Sequence, residues 1–373
     1  MKACKLAHTI VGLLSLFGVV RTGSALGQFV PGHIFVSSPS LEYCTHPNYP
    51  DRIWHVDPQT GSVTVFAEFA GEECAYITGL SFTPDGCRLR AAAVGTSEIR
   101  EFDADGKWVV VLNADDGISV PWGFNSLAYD RDGNFYVLNV GTRTILRFPS
   151  DGGPGLVFAD QSDGISSRGP IDIAANGDLY YGDQSGSANF LLRIAPDGTS
   201  TVFEDYRNLN LPLSIATDNF GRIYVSLLTD DIFYYDGPNV STKMLLFAGG
   251  DSVEDSILAM NPFDTALYLV SRIPRAVHRV NLPSGAITTI ASIPATFFDG
   301  GFAAAVVVPA DLLDANLDGE VNLPDWAIWF NCFAVGLTEP QCHAADFDRN
   351  RVLDLRDLAM FQLGFGRRFP ACP

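Results

Sequence analysis

The chain reads as an all-β ring of six four-stranded units followed by a small α-helical module, and three observations predict this. First, residues 28–310 repeat a strand-rich unit whose starts, at Gly79, Ser126, Ile171, Ser214, Leu258 and Phe302, lie 43 to 47 residues apart. Second, the units at the two ends are incomplete in complementary ways. Third, beyond Ala310 the pattern changes to two apolar segments of helical spacing, each preceded by an acidic, Asn-rich loop. Four strands per repeat of about 45 residues is the period of a propeller blade, so the expected fold class is an all-β six-bladed β-propeller followed by a small α-helical calcium-binding module.

Each strand of the repeat has its own signal. The first is the apolar run at the unit start. The second follows at residues 89–94, 135–140, 179–183, 223–227 and 267–271, and the third at 98–102, 144–148, 190–194, 231–235 and 276–280. The fourth covers 108–112, 155–158, 200–203, 244–247 and 286–290. Between third and fourth strands stand Asp103-Ala-Asp-Gly106, Pro149-Ser-Asp-Gly152 and Ala195-Pro-Asp-Gly198, tight turns whose glycine supplies positive φ. The first unit has strands only at 33–37, 52–56 and 62–66, whereas the last has one at 302–308 and nothing after it. Joining the two ends completes one blade, closes the ring and removes two open sheet edges.

The C-terminal loops carry the clearest chemistry. Asp314, Asn316, Asp318, Asn322 and Asp325 occupy positions 1, 3, 5, 9 and 12 of a twelve-residue loop, and Asp346, Asp348, Asn350, Asp354 and Asp357 repeat the pattern 32 residues later. With the position-seven carbonyls of Glu320 and Val352, each loop offers six oxygen donors, the set that a hard divalent cation such as Ca2+ requires. Each loop opens an apolar helix. The duplicated loop-helix pattern, from Asp311 to about Phe369, resembles a type I dockerin module. That resemblance implies two Ca2+ sites and docking onto a cohesin-like or other extracellular protein. Two departures qualify it. Arg351 stands at position 6 of the second loop, where glycine makes the sharp turn cheaply, so the second site is expected to be the weaker. Leu323-Pro324 and Leu355-Arg356 replace the Ser/Thr pair that often contacts the partner, leaving partner identity open. The repeats over 29–309 resemble NHL repeats and, more distantly, the gluconolactonase and regucalcin group. This implies a fold but not an activity, since propellers host unrelated chemistries.

Residues 1–27 have Lys2, Lys5, an apolar run and the small-residue stretch Ala25-Leu-Gly27, the pattern of a secretory signal peptide. The domain division expected is therefore 1–27 signal peptide, 28–310 propeller and 311–373 calcium module, in a secreted or cell-surface protein without a transmembrane anchor. Export makes disulfides plausible for Cys44, Cys74, Cys87, Cys332, Cys342 and Cys372. Cys44 with Cys74 and Cys332 with Cys342 are the preferred pairings among fifteen possible. A net charge of −19 argues against nucleic acid as a partner.

Within the propeller, Trp122, Asn125, Arg168, Asp172, Asp255 and Asp299 fall at or just before innermost strands, where they could line the mouth of the central channel and meet an unknown ligand. Asn125, Asp172, Asp255 and Asp299 could bring several oxygens near one axis. The histidines are scattered, and His278 reads as an outward strand residue. No nucleophile elbow, phosphate loop, zinc-protease motif or dinucleotide fingerprint appears. Two functions remain, beside a third reading in which the calcium loops only stabilise the C-terminus structurally. One is an exported, non-catalytic recognition propeller attached through its calcium module. The other is a secreted hydrolase or lyase acting on a carbohydrate or lactone, with polysaccharide catabolism as its setting.

Overall fold

The structure is a computed structural model. It describes residues 29–38, 50–69, 75–118, 126–166, 168–185, 189–207, 211–248, 257–261, 266–282, 284–294, 303–307, 321–335, 342, 345 and 353–366.

Its strands are β1 (Ile34–Ser38), β2 (Asp51–Val56), β3 (Val63–Phe69), β4 (Ile77–Phe82), β5 (Leu89–Ala93), β6 (Glu98–Phe102), β7 (Trp108–Leu112) and β8 (Leu127–Tyr129). They continue as β9 (Phe135–Asn139), β10 (Thr144–Phe148), β11 (Leu156–Ala159), β12 (Ile171–Ile173), β13 (Leu179–Gly182), β14 (Phe190–Ile194), β15 (Ser200–Asp205) and β16 (Pro212–Thr217). The last are β17 (Ile223–Leu227), β18 (Ile232–Tyr235), β19 (Met244–Phe247), β20 (Ile257–Met260), β21 (Ala266–Ser271), β22 (Ala276–Asn281), β23 (Ile287–Ser292) and β24 (Ala304–Val306). They form six antiparallel four-stranded sheets. Five are sequential meanders beginning at β4, β8, β12, β16 and β20, and the sixth has the order β24-β1-β2-β3. Each first strand lies against the first strand of the next blade, from β24 to β4 around to β20 and back to β24. The result is a closed six-bladed propeller.

Closure occurs where the sequence places it. Ile34, Phe35 and Val36 pair with Val306, Ala305 and Ala304. Beyond the strands the seam continues through Gly32 N donating to Val307 O at 2.9 Å and Val307 N donating to His33 O at 3.0 Å. At its other end Ala303 N donates to Ser37 Oγ at 2.8 Å.

The core lies between blades. Phe35, Ile53 and Phe69 of the closing blade pack on Ile77, Leu89 and Phe102 of the next, and five similar clusters fill the other interfaces. Alternate residues of each middle strand point to opposite neighbours, which is why β5, β9, β13, β17 and β21 are apolar almost throughout. Nearest the axis, small polar side chains stitch successive blades. Ser126 Oγ donates to Ile171 O at 3.1 Å, Thr217 N to Asp172 Oδ2 at 2.6 Å, and Leu258 N to Ser214 Oγ at 3.0 Å.

The two faces of the ring differ in backbone chemistry. On one face, turns joining first to second and third to fourth strands place glycine at positive φ, as at Gly86, Gly133, Gly177 and Gly221, and at Gly106, Gly152 and Gly198. On the other face, where chains enter first strands and pass from second to third, non-glycine residues hold positive φ: Tyr76, Ser97, Arg143, Asn189 and Asp230. Such conformations cost of order 1 kcal/mol or more and concentrate at functional surfaces.

After the propeller come α1 (Leu323–Val335) and α2 (Leu355–Gly364). Val321, Trp329, Cys332, Cys342, Ala345 and Phe361 form their core, flanked by Trp326, Ile328, Leu353 and Leu358. Cys332 and Cys342 are disulfide-bonded, as the pairing preference expects. Cys87, which stands in neither preferred pairing, is also disulfide-bonded; Cys44 and Cys74 lie outside the described residues. No helix among the described residues is long and apolar enough to cross a membrane. Residues 1–27 lie outside the description.

Candidate functional site

Two regions answer the sequence expectations, the acidic pairs that start the C-terminal helices and the strained face of the propeller. In the first, Asp354 is the N-cap of α2. Its side chain accepts from Arg356 N at 2.6 Å, and Asp357 Oδ2 accepts from Asp354 N at 2.9 Å, completing a capping box. The first copy repeats the return bond, with Asp325 Oδ2 accepting from Asn322 N at 2.8 Å. Asp325 and Asp357 are both fully buried. Val321, at position 8 of the first loop, accepts from Gly366 N at 2.8 Å and so ties that loop to the end of α2. Of the twelve expected calcium ligands, Asn322, Asp325, Asp354 and Asp357 are placed. Asp314, Asn316, Asp318, Glu320, Asp346, Asp348, Asn350 and Val352 lie outside the described residues.

The four described residues are oxygen donors, the ligand type a hard cation takes, and near the start of each helix stands a buried carboxylate that accepts from a backbone amide. The helix N-terminus supplies partial positive charge beside it.

On the propeller, Arg168 and Asp172 are described, while Trp122, Asn125, Asp255 and Asp299 fall outside. Arg168 is exposed on the strained face. Its backbone is held there: its carbonyl accepts from Gln184 N at 3.2 Å and Tyr181 OH at 3.3 Å, and Gln184 Nε2 reaches Pro212 O in the next blade at 2.7 Å. Beneath it Asp183, fully buried, accepts from Ser185 N at 3.0 Å, Ser185 Oγ at 2.9 Å and Ser166 Oγ. From two blades away comes Tyr76, at φ 43°, whose N donates to the buried Asp51 at 2.6 Å. Burial pushes the Tyr76 phenol up to about 12; Asp51 adds to that shift and Arg168 opposes it, which places the guanidinium within electrostatic range of the ring. Arg168 is thus an exposed cation on a backbone held to two blades, a residue type suited to carboxylate or other anionic groups.

Asp172 has a different part. It is the acceptor of the Thr217 stitch between blades. Tyr76, Asp51, Ser166 and Asp183 were not legible from sequence, because nothing in a single chain marks which loop residues meet across a ring. His278 is not outward but buried, held between Ser271 Oγ at 2.9 Å and Thr289 Oγ1 at 3.1 Å. Its ring lies on the sheet face it shares with Leu269, Ser271 and Thr289, the two hydroxyls coming from the strands on either side.

The loop carrying Arg168 has a sharp test. A Cβ on Gly169 would lie 1.7 Å from Gly182 O. Gly169→Ala should displace the loop from β13 and cost about 1–3 kcal/mol, read by denaturant unfolding.

No protein-family model matches the chain, and no curated protein matches it. Solved structures do. A chain of the nidogen/laminin complex is similar with a TM-score of 0.58 and 16% identity, over 74% of this chain and 100% of that one. Streptogramin B lyase is similar at 0.47 and 13%, over 72% and 85%. Virginiamycin B lyase from Staphylococcus aureus is similar at 0.48 and 13%, over 73% and 95%. At these identities the likeness is one of fold. The class is thereby set: a six-bladed β-propeller scaffold, here followed by a C-terminal helical pair.

Proposed function

We propose that this protein is an exported, non-catalytic recognition propeller, attached through its calcium-dependent, dockerin-like C-terminal module to a cell-surface or extracellular partner. The observation that carries the reading is the duplicated pair of buried carboxylates, Asp325 and Asp357, each bound to the amide three residues before it at the start of an apolar helix. Ca2+ bound in the loops would neutralise these carboxylates and fix the helix starts. The exposed Arg168 on the strained face supports recognition of an anionic group by the propeller.

Calcium titration of EDTA-stripped protein by calorimetry tests the first half. Two sites are expected, the first tighter, with Asp314→Ala lowering affinity more than Asp346→Ala because Arg351 already weakens the second loop. Absence of binding would sink the proposal. Capture of a partner that EDTA abolishes would test the second half.

A secreted hydrolase or lyase on the same scaffold is the second reading. It draws on the buried Asp183 under Ser166 and Ser185 at the same face. Turnover of a lactone or uronate-containing polysaccharide, lost in Asp183→Asn, would favour it.

A further inference from the structure

On the glycine-turn face, the closing blade brings together two histidines that the sequence leaves 22 residues apart. His33 immediately precedes β1 and His55 lies near the end of β2. Phe35 pairs with His55 and Ile34 with Val56, which puts the two histidines on one side of the hairpin as diagonal neighbours. His33 Nδ1 stands 2.6 Å from His55 Nε2. Their ring centroids are 4.8 Å apart and the planes 25° from parallel. That separation is close to the N···N distance plus the two ring radii, so the imidazoles meet edge to edge with their inner nitrogens facing.

The outer nitrogens determine what the inner ones carry. His33 Nε2 faces Asp57 Oδ1 at 3.8 Å, which favours the tautomer with its proton on Nε2 and leaves Nδ1 as a lone pair. Asp57 cannot drift away, because Gln59 N donates to it at 2.8 Å and Thr60 Oγ1 at 2.6 Å. His55 Nδ1 faces Thr64 Oγ1 at 3.4 Å. That hydroxyl can donate or accept, so His55 is free to hold its proton on either nitrogen. With the proton on Nε2, the pair is a hydrogen bond. With the proton on Nδ1, two imidazole lone pairs converge from adjacent strands, each backed by an oxygen acceptor, the second-shell arrangement of metal-bound histidines. The side chains of His33 and Asp57 are 17% and 21% exposed, enough for an ion to enter.

We propose that His33 and His55 form a two-imidazole chelating site for a late first-row divalent cation, Cu2+, Ni2+ or Zn2+, oriented by Asp57 and Thr64 and completed by water. Imidazole selects these ions over Ca2+, and Cu2+ binds most tightly among them. Loading shifts the His55 proton from Nε2 to Nδ1 and opens the N···N gap to about 3.3 Å, the separation of two ligands at roughly 2.0–2.1 Å on a tetrahedral centre. Among the described residues no cluster of three or more His, Cys, Asp or Glu is arranged to hold a metal, so the affinity rests on the pair.

The test is calorimetric titration of the calcium-saturated full chain with Cu2+ and with Zn2+, the calcium occupying the C-terminal loops. One Cu2+ per chain is expected at His33 and His55, with affinity lowered at least tenfold in His33→Ala and in His55→Ala and unchanged in His278→Ala. In proton NMR, substoichiometric Cu2+ should broaden the imidazole signals of His33 and His55 before that of His278. If His55→Ala fails to fold, His33→Ala carries the test, since its side chain lies ahead of the strand. No binding, or binding unaffected by His33→Ala, overturns the proposal.

Discussion

Replacing Asp172 by asparagine is expected to stabilise the propeller by up to about 3 kcal/mol at roughly pH 8 and to change little at about pH 4. Burial pushes the Asp172 carboxyl up to about 6 from 3.8, against the opposing bonds from Ile173 and Thr217. A raised carboxyl is more readily protonated folded than unfolded. Below 3.8 both states hold the proton and no penalty exists. Between 3.8 and about 6 the unfolded chain has released its proton while the folded one retains it, so stability falls as pH rises through that window. Above it the full cost is present, about 3 kcal/mol. Asparagine cannot ionise, yet its carbonyl still accepts from Thr217 N, preserving the stitch between blades. Denaturant unfolding of both proteins across this range measures the effect. A difference independent of pH, or a destabilised variant at high pH, would rule the account out.

The second large effect is expected in the C-terminal helical pair. Among the described residues its core holds six buried side chains, and a unit this small generally depends on staples. One staple is the Cys332–Cys342 bond, closing a short loop with a sequence separation of 10. Converting both cysteines to serine should cost about 2–3 kcal/mol. The Ca2+ binding proposed for the loops would be the other, since a ligand of the folded state alone stabilises it. The pair Trp326 and Trp329, 5.0 Å apart and near parallel, provides a local probe by near-ultraviolet circular dichroism. EDTA and a reductant together should abolish that signal, either alone should weaken it, and calcium should restore it to the reduced protein. A signal indifferent to both treatments would show that packing alone suffices.

Much of the architecture was legible because the ring is built from a repeat. A period visible in residue spacing becomes a period in space, and the missing first strand near His33 together with the extra strand at Ala304 announced the seam. The start of each C-terminal helix was equally plain, since Asp325 and Asp357 serve local helix starts a few residues away. The channel face was not. Asp172 looked like a channel oxygen, but its partner Thr217 is 45 residues on, in another blade. Tyr76 feels the charge of Arg168 only because the ring brings loops a whole blade apart to one face. His33 and His55 looked scattered because strand register, rather than sequence distance, decides which side chains are neighbours.

The seam also has a mechanical meaning. The last strand of the ring, β24, is the one from which the C-terminal helices depart, and it is held to β1 by three residue pairs. Tension applied through the C-terminus therefore enters the propeller at its innermost strand rather than at an outer edge. β24 and β1 are antiparallel and run between the two faces, so a pull from the C-terminal side against a ligand held on the opposite face loads their hydrogen bonds in shear. In that geometry the bonds share the load and fail together instead of unzipping one by one. If the C-terminal module is tethered as proposed, the ring would stay shut under flow, and the strand that completes folding would also carry the load.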